Sequence, residues 1–277
     1  MDYRRKCIVE PGSKVKLDKI DASDTGEHET VEQALPEIER HCRRLRDLQY
    51  LMYAEDKRSL LVCLQAMDAG GKDGTIRHVI GAMNPQGCSV HAFKQPSAEE
   101  AAHDFLWRVH AACPRRGRIA VFNRSHYEDV LVARVHQLVP RKVWSKRYDA
   151  INAFERQLAE SGTHILKFYL HITKDEQLAR FRKRLDDPTR QWKISEADYI
   201  ERAFWDDYIE AYQDALSQCS SRHAPWFVIP ANRKWLRNLA ISQIIADTLA
   251  SLGMSFPKPT VDIAEIREKY HAVAHAG

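Results

Sequence analysis

A stretch of glycines, a lysine and two aspartates has the residue types that bind phosphate. It follows an apolar run at 59–65 and consists of Asp68, Ala69, Gly70, Gly71, Lys72, Asp73 and Gly74. Glycines let a loop wrap around phosphate with its N–H groups pointing inward, and the lysine that follows reaches the outer phosphates. The order of strand, glycine turn, lysine and helix therefore predicts a phosphate-binding loop. The alternative interpretation is an ordinary turn with a solvated lysine.

This loop departs from the common pattern G-x-x-x-x-G-K-[ST] at two positions. Ala66 stands where the first glycine is expected, and Asp73 replaces the hydroxyl residue that usually binds Mg²⁺. Because a carboxylate also binds Mg²⁺, Asp73 and Asp68 are predicted metal ligands.

A second polar cluster follows the apolar run at 118–122 and contains Asn123, Arg124, Glu128 and Asp129. Ligands collect beyond the carboxyl ends of parallel strands, so we expect this cluster to face the same crevice as the loop. The planar guanidinium of Arg124 is suited to bridging phosphates. Many P-loop enzymes have a metal-binding aspartate where this chain has Asn123, and Asp129 or Glu128 would replace that carboxylate. The alternative is a capped helix start, and both interpretations can hold together.

A run of basic residues at 180–193 is the third candidate feature. Arg180 and Arg184 lie one helical turn apart within it. Charge runs are often only solvated faces, but phosphoryl transfer needs cations near the transferring group and a lid that excludes water. We therefore predict an arginine-bearing lid at about 180–205. Lys94 and Arg108, which follow the run at 90–93, are further candidates for phosphate contacts.

Apolar runs that alternate with amphipathic segments position these three features. The runs at 59–65, 90–93, 118–122, 163–171 and 226–229 predict strands. The segments that predict helices are 31–57, 75–83, 97–112, 127–138, 141–161, 174–186, 195–219 and 233–252, and Ser97 with Glu100 predicts a capping box. This alternation predicts a parallel sheet covered by helices on both faces. We predict an arm at 1–30, one domain at 31–257 and an irregular tail at 258–277.

Composition limits the class of protein. The chain has 277 residues, a formal net charge of +4 and 44% hydrophobic residues, which fits a globular domain and not a nucleic-acid coating protein. Its six scattered cysteines form no C-x-x-C pair, which fits a reducing compartment. The sequence shows neither a secretion signal nor an apolar stretch of membrane-spanning length. We therefore expect a cytoplasmic protein with no membrane or nucleic-acid partner.

With these motifs in hand, the chain resembles the polyphosphate kinase 2 family from about residue 5 to residue 257. The resemblance rests on the stretches 65–75, 93–97, 103–108, 122–131 and 226–235. It implies a thymidylate-kinase-like P-loop fold, which is a three-layer α/β/α sandwich with a helical lid. It also implies phosphoryl transfer between polyphosphate and nucleotides that depends on Mg²⁺, with Mn²⁺ as an alternative. The family further suggests homodimers or homotetramers.

The resemblance assigns roles to residues of this chain. The catalytic candidates are Asp68, Lys72, Arg124 and Arg184. Contacts to phosphate or nucleotide are expected from Ala69, Gly70, Gly71, Asp73, Gly74, Lys94, Arg108, Asn123, Glu128 and Arg180. The loop and the segment 125–129 are similar to those of the subgroup that accepts both AMP and ADP, where Glu128 would contact the base.

Our hypothesis is that polyphosphate binds along a basic channel near the loop and that a nucleotide phosphate oxygen attacks it in line. One rival is a kinase of the same fold that uses ATP to phosphorylate a nucleoside monophosphate. A rival of another class is a non-catalytic sensor of polyphosphate or nucleotides.

Overall fold

The computed structural model describes residues 1–275, and its centre is a five-stranded parallel sheet in the order β2-β3-β1-β4-β5. The strands are β1 (Ser59–Ala66), β2 (Cys88–Ala92), β3 (Ile119–Asn123), β4 (Thr163–His171) and β5 (Trp226–Pro230). All eight residues of β1 are buried, as expected for the middle strand of a parallel sheet. The predicted parallel sheet and the five predicted strands are confirmed.

Twelve α-helices accompany the strands within residues 1–275. They are α1 (Tyr3–Cys7), α2 (Val31–Glu55), α3 (Lys72–His78), α4 (Ala98–Ala102), α5 (Trp107–Ala112), α6 (Val132–Val135), α7 (Arg141–Glu160), α8 (Lys174–Leu185), α9 (Glu196–Ala203), α10 (Trp205–Cys219), α11 (Lys234–Ala250) and α12 (Ile263–Ala274). None of these helices is both long and apolar enough to cross a membrane.

Helices cover both faces of the sheet. Neighbouring residues of a strand point to opposite faces, and in β1 the residues on both faces are mainly apolar and must be buried. Leu60 and Val62 of β1 belong to one apolar cluster with Leu45 of α2. Leu61 lies on the other face, in a second cluster with Phe154 of α7. The three-layer α/β/α sandwich is therefore confirmed.

Several predicted helices are interrupted. The helix predicted at 97–112 begins with its capping box, but it ends at Ala102 and resumes at Trp107. Between the two pieces, the Asp104 carboxylate accepts a hydrogen bond from the Leu106 N–H at 3.0 Å, so a side chain replaces helical bonding. The segment predicted at 195–219 likewise divides at Phe204 into α9 and α10, and that predicted at 127–138 shortens to a 3₁₀ turn at His126–Asp129 and to α6.

Both terminal regions contain a helix within residues 1–275. The N-terminal segment lies along β5, where the Val9 N–H donates to the Trp226 carbonyl at 2.9 Å. The prediction of an irregular C-terminal tail was wrong over residues 263–274, which form α12. Asp262 caps this helix by accepting from the Ala264 N–H at 2.8 Å. Pro257 and Pro259, which favour irregular chain, precede this cap and led to the prediction of an irregular tail. Every residue of α12 is exposed.

Candidate active site

The predicted phosphate-binding loop joins β1 to α3 and is tightly packed. Gly71 has a φ of 109°, and a Cβ on Gly70 would lie only 2.8 Å from the Met67 carbonyl oxygen. Ala69 adopts a φ of 58°, which is unfavourable for a residue other than glycine. Such strain is characteristic of functional loops and persists only where the surrounding structure imposes it. Glycine is therefore required at positions 70 and 71.

Lys72 begins α3 and places its ammonium group at this loop. Its Nζ donates to the Ala66 carbonyl at 3.0 Å. Within residues 1–275, no carboxylate oxygen lies within 4.0 Å of that nitrogen. Burial lowers the pKa of Lys72 from its ordinary value, and the nearby charge of Arg124 lowers it further. The ammonium is thus a cation without a paired anion.

Arg124 connects the loop to the second predicted cluster. Its guanidinium donates to Asp68 Oδ1 at 3.1 Å and to Glu128 Oε2 at 3.4 Å. Its backbone has a φ of 62°, and its N–H donates to the Leu64 carbonyl at 3.0 Å, which joins the ends of β3 and β1. Gln65 Nε2 donates to the other oxygen of Glu128 at 2.9 Å. The structure therefore brings the two clusters together.

A cavity opens beside Arg124, between the sheet edge and α9. Residues that line it include Asp68, Arg124, Glu128, Glu201, Tyr208 and Tyr212. The Tyr208 hydroxyl donates to Glu201 Oε2 at 2.8 Å, so α9 and α10 are bonded to each other at this wall. Part of the segment predicted as a lid therefore lines one wall of the cavity, and its action as a lid stays a prediction. The two tyrosines were missed from sequence, because helical periodicity alone does not show which face of α10 meets the strand ends.

The two predicted lid arginines contact backbone and do not line this cavity. Arg180 is buried, and its guanidinium donates to the Glu176 carboxylate at 2.7 Å and to the Ala69 carbonyl at 2.8 Å. Arg184 donates to the Lys193 carbonyl at 3.1 Å. Arg180 thereby holds the phosphate loop to α8, and the predicted contact of each arginine with phosphate stays a prediction.

Three other predicted residues also lie outside the cavity. Arg147 donates to Asp129 Oδ1 at 2.9 Å, and burial raises the pKa of Asp129 although the Arg147 charge opposes it. Arg108 donates to the Lys94 carbonyl at 2.8 Å and lies 3.5 Å from Glu100. Lys94 and Arg108 line a separate cavity at the end of β2.

Asp68 and Asp73 are the predicted metal ligands that lie at the loop. The Asp73 side chain is 71% exposed, and its carboxylate accepts from Asn123 Nδ2 at 3.0 Å. Mg²⁺ commonly binds one or two protein carboxylates and completes its octahedron with water and phosphate oxygens, so this pair fits the ion. A preassembled cluster of three His, Cys, Asp or Glu side chains is absent from the described part of the chain.

Arg237 of α11 was not predicted, although it lies directly against the loop. It is 2% exposed, and a Cβ on Gly74 would lie 2.9 Å from its Nη2. Gly74 is inside α3, where glycine costs about 1 kcal/mol relative to alanine. A glycine kept inside a helix is a signal of close approach by another group, and here that group is a guanidinium.

Comparison with known proteins identifies the family. Residues 28–256 match the family described as Polyphosphate kinase 2 (PPK2). The chain belongs to this family. It is 51% identical to the AMP/ADP-polyphosphate phosphotransferase of Meiothermus ruber over 256 residues, which cover 92% of this chain and 96% of that protein. It is 47% identical to the ADP-polyphosphate phosphotransferase of Rhodopseudomonas palustris over 264 residues, or 91% of each chain.

A solved structure from the family has the same architecture. The crystal structure of polyphosphate kinase 2 from Arthrobacter aurescens TC1 superposes with a TM-score of 0.94 at 42% identity. The match covers 98% of this chain and 97% of that one. The family resemblance predicted from the motifs is therefore confirmed, and with it the fold class.

Proposed function

We propose that this protein transfers a phosphoryl group between inorganic polyphosphate and a nucleotide, and that it accepts both AMP and ADP. The observation that carries the proposal is the convergence of Asp68, Lys72 and Arg124 at the carboxyl edge of the sheet. The relatives from M. ruber and R. palustris, which are named for this reaction, support it.

The cations of the site perform the electrostatic part of the reaction. In phosphoryl transfer, charge is spread over the oxygens of the transferring group, and catalysis is mostly positioning and charge stabilisation. Lys72 stabilises that charge, because its ammonium has no carboxylate partner of its own. Arg124 is oriented by Asp68 and Glu128 on its two sides, so its guanidinium presents a fixed direction to phosphate.

The cavity beside Arg124 is the proposed place of the acceptor nucleotide. The rings of Tyr208 and Tyr212 provide apolar surface against which a base or a sugar packs. Glu128 lies on the same wall, and its carboxylate accepts hydrogen bonds, for example from the amino group of adenine. The acceptor phosphate would then lie toward Arg124 and the loop.

Mg²⁺ is the proposed cofactor, held by Asp68 and Asp73 beside the loop, with Mn²⁺ as an alternative. When bound, such an ion neutralises phosphate charge and orients the phosphates. We place the enzyme in the cytoplasm, as expected from its sequence, and as a homodimer or homotetramer, as the family resemblance implies.

The test is phosphorylation of AMP and of ADP in separate reactions with purified protein, polyphosphate and Mg²⁺, in the absence of ATP. We expect ATP from ADP, and ADP followed by ATP from AMP. Product from one acceptor only would correct the acceptor range. Phosphorylation of AMP only after ATP is added would establish the rival ATP-dependent kinase. Binding of polyphosphate without any turnover would establish the sensor.

A further inference from the structure

Two arginines lie against the phosphate loop, Arg180 from α8 and Arg237 from α11. They differ in which acceptors their N–H groups have. Arg180 donates to a carboxylate, to the Ala69 carbonyl of the loop and to the carbonyls of Ala231 and Asn232. Arg237 has a single acceptor, the side-chain oxygen of Asn238, which is 3.2 Å from its Nε and 2.8 Å from its Nη2.

Arg237 therefore retains unused hydrogen-bonding capacity. A guanidinium has five N–H donors in a rigid fork. Over residues 1–275, the Nη1 group of Arg237 donates to no acceptor, and no carboxylate lies within 4.0 Å of the guanidinium nitrogens. A largely buried charge is costly unless an opposite charge compensates it, so an anion beside these free donors would stabilise the guanidinium.

The unused donors lie at the phosphate loop. A Cβ on Gly71 would overlap Arg237 Nη1, and a Cβ on Gly74 would lie 2.9 Å from Nη2. Glycine at both positions thus makes room for the guanidinium as well as for the turn. Arg180 adds a second positive charge nearby: burial lowers the pKa of Arg237 to about 10, and the charge of Arg180 lowers it further. Burial and the charges of Arg180 and Arg190 likewise lower the pKa of Lys234.

We propose that Arg237 is a phosphate-binding residue, and that the polyphosphate chain provides the negative charge that the protein itself does not place beside Gly71 and Gly74. The inference rests on the proposed function and extends it to a residue of α11. Arg180, in contrast, is a positioning residue that holds the loop backbone.

Tripolyphosphate binding to Arg237→Met tests the proposal, because methionine keeps much of the side-chain volume and removes the charge. Calorimetry should show tripolyphosphate binding that is about tenfold weaker or worse, as expected for loss of a hydrogen bond to a charged group. The melting temperature without ligand should equal or exceed that of the wild type. Arg237→Lys, which keeps the charge, should recover part of the affinity.

The matched control is Arg182→Met on the solvent side of α8, whose side chain is 84% exposed, and it should bind tripolyphosphate as the wild type does. A lower melting temperature in Arg237→Met together with unchanged affinity would overturn the inference, because it would show a purely structural role. If neither Arg237→Met nor Arg237→Gln folds, the inference is also overturned, since the charge would then be needed without ligand. Failure of the wild type to bind tripolyphosphate or to turn over would instead contradict the proposed function itself.

Discussion

Lys72 and Lys167 are placed in opposite surroundings, although both belong to the sheet and its connections. Lys167 of β4 is fully buried, and its Nζ donates to the Glu155 carboxylate at 2.6 Å, to the Tyr127 hydroxyl at 2.8 Å and to the Cys219 carbonyl. Lys72 has one acceptor, the Ala66 carbonyl at 3.0 Å. A buried cation whose partners are all internal serves the fold, whereas one with free donors at a loop is available to a ligand.

The cluster around Lys167 also supports the site. Glu155 Oε1 accepts from the Tyr127 hydroxyl at 2.9 Å and lies 3.1 Å from His126 Nε2. Both residues belong to the 3₁₀ turn that carries Glu128 toward the cavity. The cluster around Lys167 therefore fixes the backbone that carries Glu128, and substitutions in this cluster and at Lys72 should have different effects.

The largest effect is expected from Glu155→Gln. It leaves the charge of Lys167 buried without a carboxylate, so the free energy of unfolding should fall by about 3–5 kcal/mol in chemical denaturation. The double variant Glu155→Leu with Lys167→Met removes both charges and should recover most of that loss. A single variant as stable as the wild type would show that the cluster is not the structural support inferred here.

The reverse pattern is expected for Lys72→Met. If Lys72 stabilises the transferring phosphoryl group as proposed, its removal should lower kcat with polyphosphate by about 10²- to 10³-fold. The free energy of unfolding should stay within about 1 kcal/mol of the wild type, because no internal carboxylate loses its partner. Lys142→Met, an exposed lysine on α7, is the control and should change neither quantity. Turnover within a few-fold of the wild type would contradict the role of Lys72.

Asp73 and Asp129 allow a similar comparison for the proposed Mg²⁺ site, because one carboxylate is exposed at the loop and the other is paired with an arginine. Asp73→Asn should raise the Mg²⁺ concentration needed for half-maximal activity by about tenfold, because Asp73 is exposed beside the loop. Asp129→Asn should not change this concentration, because its carboxylate is engaged by Arg147. The opposite result would return the metal site to Asp129, as the sequence also allowed.

These contrasts also explain which parts of the site could be predicted from sequence. The loop and Arg124 were predictable, because a local motif and the rule for parallel strand ends place them at one edge of the sheet. The sequence could not show whether the donors of Arg180 meet carbonyls or ligands, since that depends on loops distant in the chain. Arg237 and Tyr208 were missed for the same reason, as both come from helices far along the sequence from the loop.

The smallest change in stability is expected for a solvent-exposed ion pair. Lys193 of the lid segment lies 3.7 Å from Asp73, with side chains 32% and 71% exposed. Because water already compensates both charges, Lys193→Met should change the free energy of unfolding by less than about 1 kcal/mol. Denaturation at low and high salt measures this change, with Lys142→Met as the exposed control. A loss of stability well above about 1 kcal/mol that does not depend on salt would mean that the predicted lid segment excludes water from Asp73 even without substrate. That segment would then have to move away from Asp73 before polyphosphate binds.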